Sequence, residues 1–404
     1  MHRFTYLLLI LLACKKTDNL PPSVQITSPS TPNANFEYNQ PIPIQFSVSD
    51  NNELRSYSII IYDQNRNIVL NNATAAISGK SQNINTSIDL NDKYMASGTY
   101  SLEIIAEDEA GNVGFDYLPF NYFELPLQRK ALLISRNTNG TQLDSLANGV
   151  VYPALSAASP HAMIFAGSRF GEIIVGGNTN PYLDFWSFPE LEPLNLFFAQ
   201  NPLNDQYVQH IVFHPTRKTY LVAVSDGRVL EFQKEGNLLA SRNIEVGYFP
   251  EKVFPHDKDM ICVLRNTNLG NRILARYNLP SGSLAASASL NFEVIELIQN
   301  GTDTYIVGNQ NGSGVIKFLS ENLQTSNYPF FNPIEEFHYA LSLTNGWLAM
   351  ASTSGITQHR LGTSIFLSGS LNGVNAIDMS FDPANALLFA LSADGRVHSV
   401  NLNS

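Results

Sequence analysis

Cysteine is nearly absent. Cys14 and Cys262 are the two in 404 residues, which excludes a disulfide framework or a cysteine-rich metal site. Charge is thin, 15% of residues, and leans acidic, with 24 Lys+Arg against 35 Asp+Glu and a net charge of −11. There is no basic stripe, and an acidic chain repels phosphate backbones, so nucleic acid is excluded as a partner. No apolar run reaches the ~20 residues of a membrane-spanning helix. The long runs of Ala, Leu, Glu and Lys that build helices are also missing. What is present is 44% hydrophobic residues, with 24 Phe and 17 Tyr. That is too apolar for disorder and too polar for a polytopic membrane protein. With frequent Asn, Ser and Gly, the composition predicts an all-β chain with many turns. At ~150 residues per domain, the length predicts two or three domains.

The N-terminus reads as an address. Arg3 precedes a ten-residue apolar run from Phe4 to Ala13, which ends Leu11-Leu12-Ala13-Cys14. A run this short is a signal-peptide core. Its end resembles the lipobox of bacterial lipoproteins, although Leu12 is larger than that family prefers. The resemblance implies cleavage after residue 13, with residues 1–13 as signal peptide, and acylation of the Cys14 thiol. Each buried CH₂ of an acyl chain contributes about 0.8 kcal/mol of membrane affinity. The implied location is the outer membrane or cell surface, with the membrane itself as a partner. Residues 14–21 form a tether. Its start, Lys15-Lys16-Thr17-Asp18-Asn19, is similar to the charged tethers of surface lipoproteins in Bacteroidetes-like bacteria.

Residues 22–123 alternate with period two. Ile44, Phe46 and Val48 oppose Gln45, Ser47 and Ser49, while Tyr100, Leu102, Ile104 and Ala106 oppose Ser101, Glu103 and Glu107. One apolar face per strand means half-buried strands, and about seven of them predict a sandwich. The stretch from Ser97-Gly98-Thr99-Tyr100 to Ala110-Gly111-Asn112 resembles the penultimate strand and hairpin of bacterial immunoglobulin-like domains. Asp108, Gly111 and Asn112 shape a tight hairpin. Alternatively, as in some modules related to that family, Asp50, Asp108 and Asn112 supply oxygen ligands to Ca²⁺; otherwise no cofactor is expected.

Residues 127–404 repeat. Phe213, Pro215, Asp226, Gly227, Arg228 and Val229 recur at Phe381, Pro383, Asp394, Gly395, Arg396 and Val397, an offset of 168, or four periods of 42. A period of ~40–45 is a propeller blade. The pattern resembles WD-repeat and YVTN-type β-propellers, although the Trp-Asp dipeptide is absent. Six repeats can be counted, and a seventh exists if residues 127–160 hold a degenerate one. The six-repeat count predicts that residues 131–147 close the ring by pairing with the last unit.

Chemistry is sparse. There is no phosphate loop, nucleophile elbow or metalloprotease helix, so no catalytic residue is assigned. His210 and His214 are four apart on a predicted strand, about 13 Å at ~3.3 Å per residue, too far to share an ion. Glu335-Glu336 and the Glu190/Glu192 pair read as solvated loop residues. Cys262, in an apolar run, reads as a buried free thiol. Tyr182, Trp186 and Trp347 are either blade core or ligand anchors. The expectation is a lipid-anchored binding or scaffold protein, with the sandwich as spacer and the propeller as the face for a protein or glycan ligand. The alternative is a propeller enzyme acting on glycans or lactones through a metal or carboxylates in the central channel.

Overall fold

A computed structural model describes residues 18–404 except 65, 67, 72–73, 91–94, 96, 125–130, 138–139, 148–149, 158–159, 168–170, 178–181, 199–206, 332–334 and 403–404. The chain divides into two units, Met1–Pro126 and Leu127–Ser404. Among the described residues there is no α-helix.

The first unit has nine strands: β1 (Ser23–Ser28), β2 (Ala34–Glu37), β3 (Pro41–Ser49), β4 (Leu54–Tyr62), β5 (Ile68–Asn71), β6 (Ala75–Ala76), β7 (Ser81–Asp89), β8 (Gly98–Asp108) and β9 (Val113–Phe123). They form a β1-β3-β7 sheet and a β2-β9-β8-β4-β5 sheet, with β6 on β4. The period-two pattern explains the packing. On β3, Ile42, Ile44, Phe46 and Val48 are buried, and on β8, Tyr100, Leu102, Ile104 and Ala106 are buried. Both sets join one core with Phe120 and Tyr122, where each buried large apolar side chain contributes about 1.5–3 kcal/mol. Asp108 is the next inward position on β8, so a carboxylate ends this apolar row.

Gly114 on β9 lets another backbone approach closely. A Cβ there would lie 1.8 Å from the carbonyl oxygen of Pro22. Gly114→Ala should therefore cost about 1–3 kcal/mol in urea unfolding by forcing the start of β1 away. Gly98→Ala is the control, because its Cβ would meet nothing nearer than 3.9 Å. Equal stability of the two variants would refute the close-approach argument.

The described residues of the second unit form a succession of seven antiparallel sheets. Sheet 1 holds Leu132–Asn137, Thr141–Ala147 and Val150–Ala157. Sheets 2 to 6 have four strands each and cover 161–198, 208–243, 248–290, 293–327 and 337–372. Sheet 7 holds Ala376–Asp382, Leu387–Ser392 and Val397–Asn401. The second strand of a sheet is apolar on both faces, which explains the continuous apolar runs. In sheet 4, Met260, Cys262 and Leu264 pack towards Leu221 and Ala223 of sheet 3. Ile261 and Val263 pack towards Ile306 of sheet 5. Cys262 is fully buried, and burial pushes its thiol up, away from reactivity. Gly227, at φ 92°, gives the left-handed turn that the Asp-Gly pair predicts.

The expected closing pair is not made. Leu132–Asn137 pairs with Thr141–Ala147, so this stretch builds a sheet of its own rather than lending a strand to the last one. Its place within that sheet can be identified. Asn309, on the second strand of sheet 5, exchanges two 2.8 Å hydrogen bonds with the backbone of Phe337, which begins sheet 6. Asn137 makes the same pair of bonds, 2.8 and 3.0 Å, with His161, which begins sheet 2. Leu132–Asn137 thus occupies a second-strand position. Among the described residues, sheet 1 has no first strand and sheet 7 has no fourth.

Candidate functional site

The first site is a carboxylate cluster on the sandwich. Asp50 follows β3, Asp108 ends β8, and Asp18 precedes β1. One oxygen from each lies within 4.8 Å of the others. Asn112 is brought in by the hairpin turning at Gly111, φ 87°. Its backbone N–H and side-chain amide each donate to Asp108 at 2.8 Å, and the amide also donates to the Asp18 carbonyl at 3.1 Å. Burial would raise the Asp108 carboxyl. Hydrogen bonds from the Asn112 side chain and from the backbone of residues 110–112 outweigh burial and hold it below the ordinary aspartate value. Asn51 donates to Asp18 at 3.0 Å, and the Asn52 N–H donates to Asp50 at 2.6 Å. Oδ1 of Asp50 is buried and has no hydrogen-bond partner.

The Lys80 ammonium instead donates to the Asn51 carbonyl, and none of the three carboxylates makes an ion pair among the described residues. Three oxygen donors, one of them orphaned, fit a hard divalent cation. Sequence reading named Asp50, Asp108 and Asn112, which the fold brings together. It missed Asp18, which it assigned to the tether, and no local pattern marks that residue.

The other residues singled out from sequence lie elsewhere. Tyr182 is buried beside Leu143 and Val175, and Trp186 packs on the same cluster. Trp347 packs against Leu388 and its neighbours between sheets 6 and 7. Cys14 lies outside the described residues.

The second site comes from a defect repeated in six sheets. The first strands of sheets 2 to 7 are His161–Gly167, Val208–His214, Tyr248–His256, Glu293–Asn300, Phe337–Ser342 and Ala376–Asp382. In each, pairing with the second strand slips by one residue near its start, between 161 and 163, 208 and 210, 250 and 252, 294 and 296, 337 and 339, and 376 and 378. A bulge re-aims the side chain that follows it. The residues where pairing resumes are Met163, His210, Lys252, Glu296, Tyr339 and Asp378, five of them titratable. First strands touch between sheets 2 and 3, 3 and 4, 5 and 6, and 6 and 7, and Lys252 bridges sheets 4 and 5, so these positions follow one another along the first strands of sheets 2 to 7.

The five groups form a chain. The Val253 N–H of sheet 4 donates to Nδ1 of His210 at 3.4 Å, and Nζ of Lys252 donates to the Ile295 carbonyl of sheet 5 at 2.5 Å. The Tyr339 phenol lies near enough to Asp378 of sheet 7 for each to shift the other's titration. Enclosure, then the Lys252 charge, lowers His210 to about 3 and keeps it neutral. Enclosure lowers Lys252 against the pull of Glu296, Glu293 and Glu251. It lifts Glu296 to about 7, against Lys252 and the Leu297 N–H. It raises Tyr339, helped by the charges of Asp378 and Glu296, and it raises Asp378 despite hydrogen bonds from Met379 and Tyr339. His210, Lys252, Glu296 and Tyr339 are nevertheless half-buried and Asp378 is exposed, so solvent reaches all five. Lys252 and Glu296 make no ion pair with each other or with any described residue.

No protein-family model matches this sequence, and no curated protein matches it. Among solved structures, hydrazine synthase of Kuenenia stuttgartiensis is similar with a TM-score of 0.51 at 9% identity, covering 74% of this chain and 92% of that one. U3-55K is similar with a TM-score of 0.49 at 13% identity, covering 67% of this chain and 92% of that one. The chain is all-β and β-propeller-like. That likeness concerns the fold alone. In a propeller the first strands surround the central channel, and the five titratable groups stand on the first strands of sheets 3 to 7.

Proposed function

We propose that this is a lipid-anchored extracytoplasmic binding protein. An immunoglobulin-like sandwich holds a propeller away from the membrane, and the propeller takes a ligand in its channel. The propeller has seven blades, the first lacking its inner strand and the last its outer one. Ca²⁺ bound by Asp18, Asp50 and Asp108 fastens the tether to the sandwich, since Asp18 is the tether's own residue. The observation that supports binding in the channel is the chain of titratable groups. Lys252 and Glu296 have charged forms that are costly in their enclosure, yet they neither pair with each other nor serve a core. Perturbed groups of this kind cluster at functional sites.

The carboxylates Glu296 and Asp378 support a second reading, an enzyme acting on glycans or lactones.

Two experiments test the proposal. A glycan and protein-partner screen with the chain from residue 20 onward, run beside Lys252→Met and Glu296→Gln, should give a ligand whose binding both variants weaken. Binding that ignores both variants would remove the channel from the reading. Cys14→Ser should move the full-length protein from the membrane fraction to the soluble fraction of the cell envelope. If the variant stays with membranes as fully as wild type, the anchor is wrong.

A further inference from the structure

The channel groups are not spread evenly by charge. His210 and Lys252 stand on sheets 3 and 4, and Glu296, Tyr339 and Asp378 on sheets 5 to 7. In a seven-sheet ring, sheets 4 and 7 are three places apart and so nearly opposite. One arc therefore offers donors. Lys252 keeps N–H groups beyond the one bound to the Ile295 carbonyl. His210 accepts at Nδ1, which leaves the proton on Nε2 in its neutral form. The other arc offers acceptors, the carboxylates of Glu296 and Asp378. Glu296 accepts from the Leu297 N–H at 3.1 Å and Asp378 from the Met379 N–H at 2.8 Å. Carboxylates have about four acceptor sites each, so both retain capacity.

We propose that the channel binds a small zwitterion, an amino acid or short peptide with free ends, its carboxylate on Lys252 and His210 and its ammonium on Glu296 and Asp378. This rests on the reading of the channel as a binding site. A ligand of one sign gains on one arc and is repelled by the other. A neutral ligand adds nothing to the partial compensation that Lys252 and Glu296 already give each other. A dipolar ligand compensates both and is oriented by the field between them. Tyr339 adjoins the Asp378 carboxylate from the neighbouring sheet.

The test is calorimetric titration of the full chain, purified in detergent, with the free amino acids and triglycine. Each is compared with its N-acetyl and carboxamide derivatives. At least one zwitterion should bind, and blocking either end should weaken it at least tenfold. Lys252→Met should weaken the zwitterion while leaving its carboxamide unchanged, and Asp378→Asn should do the same for the zwitterion and its N-acetyl form. Those paired comparisons separate a lost contact from a lost fold, and the blocked ligands on wild-type protein need no variant at all. If no zwitterion binds, or if blocking an end changes nothing, the proposal is overturned. If a neutral or singly charged ligand then binds and depends on Lys252 and Glu296, the binding channel stands and only the ligand class falls. If no ligand depends on them, both fall together.

Discussion

Glu231→Ala should lower the stability of the second unit by about 3–5 kcal/mol, the cost of breaking a buried ion pair from one side. Glu231 is fully buried on the third strand of sheet 3, Arg228–Phe232. Arg217 donates to it at 2.7 Å and Thr219 at 3.0 Å. Nη2 of Arg242 lies 2.7 Å from its other oxygen, as an ion pair, while donating to the Leu279 carbonyl. Removing the carboxylate strands two guanidinium groups, one on each side of the strand. Burial would raise the Glu231 carboxyl, but the hydrogen bond and charge of Arg217, the charge of Arg242 and the Thr219 hydroxyl together lower it. A depressed carboxyl contributes stability above the ordinary glutamate value, and that stability is lost as pH falls through the folded value. Wild type should therefore lose stability on acidification in this range, and Glu231→Ala should show a shallower loss. Parallel pH profiles of the two proteins would contradict the assignment.

Calcium at a hundred times its dissociation constant should stabilise the first unit by about 2.7 kcal/mol. The expected result is a melting transition that rises with Ca²⁺ and falls back in EDTA. Asp18→Asn should abolish the rise. In EDTA the same substitution should act in the opposite direction and raise the melting temperature, because it removes one of three mutually repelling carboxylates. That reversal of sign distinguishes a cation site from a hydrogen-bonded turn, in which Asp18→Asn would act the same way in both solutions. Identical melting in Ca²⁺ and EDTA would eliminate the site.

The parts of this molecule legible in sequence are those governed by period. Alternation marked β3 and β8, and the copies at Phe213 and Phe381 sit on the first strands of sheets 3 and 7, four sheets apart as four repeats require. Asp108 and Asn112 could be named because their hairpin has a local signature, and Asp50 because it opens the Asp50-Asn51-Asn52 turn. Asp18 could not, because only folding brings it to them. The channel groups escaped for a different reason. His210, Lys252, Glu296, Tyr339 and Asp378 recur at spacings of 39 to 44 residues, but the residue type changes from copy to copy, so comparing the chain with itself passes over them. The slipped pair that aims them leaves no residue signature. Closure was misjudged because Leu132–Asn137 and Thr141–Ala147 are generic strands. In the structure they pair with each other, and the Asn137 side chain ties them to His161 of sheet 2.

The recurring slip has an evolutionary consequence. In most positions of a repeated fold, a substitution in one copy must be tolerated by the neighbouring copies that pack on it. The titratable residues after the bulges of sheets 3 to 7 are less bound by that constraint, because each keeps contact with solvent. Five such sites let duplicated copies differ in side-chain chemistry, like the tumblers of a lock, while the packing between the sheets stays the same. Descendants of one ancestral ring could thus acquire new ligands by altering a handful of codons, without passing through an unstable intermediate.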